Sequence, residues 1–174
     1  DIAAPKQQII ASRSFAGVTA DYQTVKAALS HHISRAAEKL RAQHSVCAHV
    51  YVMIQTNPFR EQAPQCRKTL LMPLPYPSAD TAVLVKAAMD GLRKGFLPGF
   101  RYHKCGVMLG EIHPSDALQT DLFAPVDDPK RLRLMGLMDS INKRQGSGTL
   151  QMASTQLGEA WHMRADNRSP RYTT

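Results

Sequence analysis

Cys47 with His49, and His103 with Cys105, are the pairs whose residue types could ligate a metal. Each pair stands two residues apart in a run of strand-forming residues. Positions i and i+2 of a strand share a face, so each pair could touch one ion. A buried thiol beside an imidazole at a sheet margin accounts for the same spacing. Asp127 and Asp128 form a carboxylate pair, but a helix start at Pro129 accounts for both acids without a metal. The chain contains no GxGxxG, P-loop or GxSxG string, and no nucleophile comes with a recognisable base. The residues point to binding more than to bond making, with a small metal-dependent enzyme as one rival reading.

Two features suit binding. Pro114 and Pro125 bracket a stretch in which regular structure is disfavoured at both edges. Within it, Gln119, Thr120, Asp121, Leu122 and Phe123 offer an amide that could fix orientation and two adjacent apolar side chains that could fill a pocket. Leu122 and Phe123 either fold back onto the domain or are received by a partner. The second feature is charge. Residues 1–113 hold 14 Lys/Arg against 7 Asp/Glu, whereas residues 114–174 hold 8 against 7. A basic excess confined to the first part is expected where a domain meets a polyanion, although solubility also accounts for it.

The elements that must position these residues follow from periodicity. Gln7 to Phe15 reads as a strand ended by Gly17, with Ile10, Ser12 and Ser14 on one face and Ile9, Ala11 and Arg13 on the other. Tyr22, Val25, Leu29, Ile33, Ala36 and Leu40 mark an amphipathic helix from an Asp21 cap to about Arg41. His31 and His32 point about 100° apart on it and read as surface residues. Cys47 to Ile54 is a second strand. A polar loop carries Arg60 to Arg67, and Lys68 to Met72 is a third strand, which Pro73 and Pro75 end or push to an edge. Asp80 caps a second helix with Leu84, Val85, Ala88, Met89, Leu92 and Phe96 as its apolar face, stopped by Gly95, Pro98 and Gly99. Arg101 to Leu109 is the fourth strand. A third helix starts at Asp128–Pro129, with Leu134, Leu137, Met138 and Ile141 on one face, widened by Leu132 and Met135. That face either packs on the domain or binds a partner. Gly146 to Gly148 ends the helix, Thr149 to Ser154 suggests a short strand, and Glu159 to Thr174 reads as extended.

The order β-α-β-β-α-β predicts an α+β fold: a ferredoxin-like split sheet with two helices on one face, plus a small helical and extended C-terminal extension. Residues 1–113 form the sheet domain, 114–126 a linker and 127–174 the extension. A length of 174 residues with 43% hydrophobic content suffices for one core and a small satellite. Three cysteines without a CxxC pair read as buried thiols of a reducing compartment. No apolar run approaches about 18 residues and no signal-peptide pattern occurs, so a cytoplasmic protein without membrane contact is expected. The start at Asp1 reads as that of a piece cut from something longer.

The string Gln119–Phe123 resembles the peptide by which bacterial replication and repair proteins bind the sliding clamp, with Thr120 where Leu is commoner. A split domain of this order followed by such a peptide resembles the little finger and C-terminal region of a Y-family translesion DNA polymerase, more closely the UmuC-like branch. The stretches carrying the likeness are Lys6–Phe15, Arg35–Arg41, Gln119–Phe123, Trp161–Arg164 and Ser169–Thr174. The resemblance implies a non-catalytic fragment of an error-prone polymerase of SOS mutagenesis, its magnesium carboxylates lying in a palm outside this stretch, with no cofactor here. It implies that Ser12, Arg13, Ser14, His103 and Lys104, with Lys68 and Thr69, grip backbone phosphates of primer-template DNA. It also implies that Gln119, Thr120, Asp121, Leu122 and Phe123 hold the clamp. The extension would meet a UmuD-like subunit and a recombinase filament. The alternative of another class is a protein-interaction module that makes no DNA contact.

Overall fold

A computed structural model of the chain describes residues 7–60, 62–116 and 125–153. The elements are β1 (Ile9–Thr19), α1 (Tyr22–Ala42), β2 (Ser45–Thr56), β3 (Arg67–Ser78), α2 (Thr81–Gly95), β4 (Tyr102–Pro114) and α3 (Pro129–Gln145). The sheet has the order β1-β4-β2-β3 with antiparallel pairing throughout. Each crossover, β1-α1-β2 and β3-α2-β4, therefore joins strands with another strand inserted between them, which is the split arrangement expected from the element order.

Both helices lie on one face. Val50, Val52, Ile54, Cys105, Val107 and Leu109 point into that layer and are buried. α1 meets them with Val25, Leu29, Ile33 and Leu40, while Ala27, Ala28, Ala36 and Ala37 are wholly buried and let it lie close to its neighbours. His32 is buried in this helix, not on the surface as its pairing with His31 suggested. The layer is closed still more tightly under α2. A Cβ at Gly91 would fall 2.7 Å from Val52 Cγ2, and one at Gly95 2.6 Å from Leu70 Cδ1. Asp21, Asp80 and Asp128 cap α1, α2 and α3 by accepting from the N–H of Thr24, Ala82 and Lys130.

The strands run longer than local sequence implies. β1 continues through Gly17 to Thr19 because it is irregular there: the five-residue step from Ser14 to Thr19 faces the two-residue step from Lys104 to Tyr102. β3 continues through Pro73, Pro75 and Pro77, which a strand paired on only one side tolerates. Thr149 to Ala153, the described part of the short strand suggested for Thr149 to Ser154, forms no strand. Asn142 donates to the Leu150 carbonyl (3.0 Å) and accepts from its N–H (2.8 Å), which pins that segment back on α3. Ser154 and the tail from Glu159 to Thr174 lie outside the described residues.

α3 is held mainly by charged latches. Arg41 donates twice to Asp139 (2.7 and 2.8 Å) and also to the Ala79 carbonyl and Thr81 hydroxyl. Arg131 pairs with Asp80, whose side chain is only 2% exposed. Asp127 takes no part in starting the helix; it accepts from the Ser78 hydroxyl and the Ala79 N–H (2.8 Å). The helix face is thus divided: Met135 is buried and Met138 half-buried, whereas Leu134, Leu137 and Ile141 stay exposed. Among the described residues no helix is long and apolar enough to cross a membrane.

Cys47, Cys66 and Cys105 are free and buried. Burial pushes the Cys105 thiol up to about 12, and burial, helped by the nearby Asp127 charge, does the same to Cys47. The unfolded chain loses these protons near the ordinary value of 9.0. Their contribution to stability is therefore complete below about pH 9 and declines above it, by about 1.4 kcal/mol per thiol per pH unit, until about pH 12. Urea unfolding between about pH 8 and 10.5 should show this decline, and Cys105→Ala should make it shallower.

Candidate nucleic-acid interface

Strand register decides which side chains share the uncovered face. Ser14 pairs with Lys104, Lys104 with Gln55, and Gln55 with Arg67, so these four form one row across all four strands. The next row is Ser12, Gly106, Met53 and Thr69, and the one after is Ile10, Met108, Tyr51 and Leu71. The face therefore grades from cationic and polar at one end to apolar at its centre, where Ile10 is 55% and Leu71 48% exposed. No described element covers it.

Of the residues expected to grip phosphate, Ser12, Ser14, Thr69 and Lys104 come together on this face. Arg13 and Lys68 do not. They fall in the row Arg13, Cys105, Ile54, Lys68 on the helix-covered side, where only their places on the two edge strands keep them out of the core. His103 is an extra residue: Gln55 and Thr56 are consecutive, yet their partners are Lys104 and Tyr102. It occupies a bulge, which re-aims a side chain at the rim of a sheet. The expected clamp-binding residues, Gln119, Thr120, Asp121, Leu122 and Phe123, lie outside the described residues.

Sequence reasoning missed Gln55, Arg67, Arg60 and Arg101. β2, α2 and the start of β3 bring the last three to the same end as Lys104, where the β2–β3 loop and the α2–β4 loop meet. Arg60 and Arg101 line one cleft there with Val18, Asn57, Pro64 and Gly99. Asp21, which precedes α1, is already occupied by Thr24, and those bonds hold its carboxyl below the ordinary value. Acids collect at the other end, in Asp80, Glu111, Asp127 and Asp128. The only sequence signal for this segregation is the placing of Arg60, Arg67, Lys68, Arg101 and Lys104 next to strand ends.

The cationic end rests on a rigid base. Tyr102 is fully buried. Its hydroxyl accepts from the Leu97 N–H (2.8 Å) and donates to the Leu97 carbonyl (3.1 Å), and burial raises its pKa. Phe96 packs on Tyr102 at 5.1 Å and on Tyr22 at 5.2 Å between ring centroids. Thr56 bonds through both backbone and hydroxyl to Cys66, tying β2 to the start of β3.

The pairs whose residue types could ligate a metal are placed as follows. Cys47 and Cys105 are buried, and burial raises the pKa of both thiols. His49 faces Glu111 at 3.7 Å. Among the described residues no three His, Cys, Asp or Glu side chains are grouped to hold an ion.

Residues 6–122 match the family model described as the impB/mucB/samB family C-terminal domain, and residues 132–174 match a domain of unknown function. Protein UmuC of Salmonella typhimurium is 35% identical over 177 residues, covering 100% of this chain and 42% of that protein. Protein SamB of Salmonella typhimurium is 36% identical over 171 residues, covering 98% of this chain and 40% of that protein. The chain thus spans about two fifths of the length of the curated relatives it matches. A solved complex of beta-clamp processivity factor and the little finger domain of PolIV aligns with a TM-score of 0.43 and 15% identity, covering 67% of this chain and 98% of that one.

Gly106 is where the uncovered face depends on the absence of a side chain. A Cβ there would lie 2.8 Å from the Ala11 carbonyl oxygen and run into Ser12. Gly106→Ala should cost about 1–3 kcal/mol in urea unfolding, because β1 must move away from β4. Gly17→Ala, where a Cβ meets nothing within 4 Å, should cost much less.

Proposed function

The chain belongs to the impB/mucB/samB family, and from that premise we propose that it is the DNA-gripping and clamp-tethering part of an error-prone translesion DNA polymerase, with the chemistry performed elsewhere in the parent enzyme. The observation that carries the reading is the row Ser14, Lys104, Gln55, Arg67 on an uncovered sheet face. Lys104 and Arg67 stand two strand spacings apart, roughly 10 Å. That is comparable with the ~12 Å width of the B-DNA major groove, so two phosphates can be met at once while two hydroxyl or amide groups add neutral hydrogen bonds. Contacts of this kind are indifferent to base identity, which suits a polymerase that must accept damaged template.

The string Gln119–Phe123 supports the second half of the reading: the amide orients, and Leu122 and Phe123 fill an apolar pocket on a sliding clamp. A UmuD-like subunit and a recombinase filament are proposed as partners of the region after residue 126. The parent's magnesium belongs to the polymerase active site and not to this sheet. The apolar row Ile10, Met108, Tyr51, Leu71 favours one other reading, a sheet covered by protein without DNA contact.

Duplex titrations at several salt concentrations separate the two. DNA binding should weaken steeply with salt, and Lys104→Ala with Arg67→Ala should lower the slope of log affinity against log salt by about two. Absence of duplex binding would favour the protein-covered sheet. For the tether, Leu122→Ala with Phe123→Ala should abolish clamp binding while leaving duplex affinity unchanged; a clamp affinity equal to wild type would remove that role.

A further inference from the structure

Phe59 is the most exposed large apolar side chain among the described residues, at 91%. Its position is built by hydrogen bonds of the loop around it, none of which uses the ring. The Gln65 amide donates to the carbonyls of Arg60 (2.8 Å), Asn57 (3.2 Å) and Ala63 (3.2 Å), stitching the β2–β3 loop from inside. The Asn57 side chain accepts from the Phe59 N–H at 3.0 Å, turning the residue outward. A braced loop that holds an aromatic ring in water gains nothing from that ring within the chain.

The surroundings name the chemistry of what would cover it. Arg60 follows directly and shares a cleft with Arg101, and neither forms an ion pair among the described residues. Arg67 and Lys104 of the cationic row lie at the same end of the sheet. Glu61, in the same loop, is outside the described residues. An apolar protein pocket would accept the ring but would leave four cations unanswered. A nucleic acid answers both, with phosphates for the cations and the face of a base for the ring.

We propose that Phe59 stacks against an unpaired nucleotide of the strand that leaves the gripped duplex. The nucleotide must be unpaired because a base within a duplex already has both faces covered by its neighbours. The inference rests on the DNA-binding reading above and extends it from paired to single-stranded DNA.

The test uses the 174-residue protein, a primer-template whose single-stranded overhang carries 2-aminopurine, and a blunt duplex of the same paired sequence. Phe59→Ala should weaken binding to the overhang substrate by about 5- to 150-fold and abolish the change in 2-aminopurine fluorescence. Blunt-duplex affinity and its salt slope should not move, and Phe59→Trp should restore overhang binding. Wild-type overhang binding by Phe59→Ala, with duplex binding intact, overturns the stacking role and leaves the duplex grip standing. Equal loss on both substrates also overturns it. A wild-type protein that binds neither substrate overturns the DNA-binding reading itself, and the stacking role with it.

Discussion

Everything else in this fold depends on burial being one-sided. A four-stranded sheet needs one apolar face covered, and α1 and α2 cover it by approaching closely where side chains are smallest. Four alanines on α1 are wholly buried, and Gly91 and Gly95 bring α2 against Val52 and Leu70. Close approach raises the number of dispersion contacts without adding apolar bulk. With the core satisfied on one side, the other face is free of any packing duty. Its residues can be polar, cationic or apolar without cost to the interior.

That freedom is used unevenly along the strands. Arginine and lysine gather where β2 ends and β3 and β4 begin, above the Tyr22, Phe96 and Tyr102 cluster that stiffens the same end. Acids gather at the opposite end, where most are committed. Asp80 caps α2 and pairs with Arg131, Asp127 ties down residues 78–79, and Asp139 is held by Arg41. Arg41 is central, since one guanidinium joins α1, the entry to α2 and α3. Its planar fork suits that number of simultaneous acceptors better than an ammonium would.

The helices and the order of elements were legible in the sequence because they are local. Spacings of three and four around Leu29 and Leu84, and aspartates before each first turn, specify α1 and α2 without reference to anything distant. The family resemblance was also legible, carried by several short stretches. Register was not. Nothing near Lys104 states that Gln55 and Arg67 stand beside it, since that depends on pairing between strands far apart in the chain. The parting of Arg13 from Ser12 and Ser14 needed no register, since strand alternation alone puts them on opposite faces. Thr149 to Gln151 misled for another reason. Strand-like composition was overridden by a side chain, Asn142, that satisfies the backbone groups a strand partner would have taken.

The prolines of β3 have a consequence for crowding. Pro73, Pro75 and Pro77 recur at every second position of an edge strand. Proline carries no amide hydrogen, so along this stretch of the rim these three remove hydrogens that a strand from another molecule could use. That half of the β3 margin is a poor template for stacking between copies. A bare face beside an unshielded rim favours lateral self-association; here imino acids blunt the second half of the β3 rim, from Pro73 to Pro77.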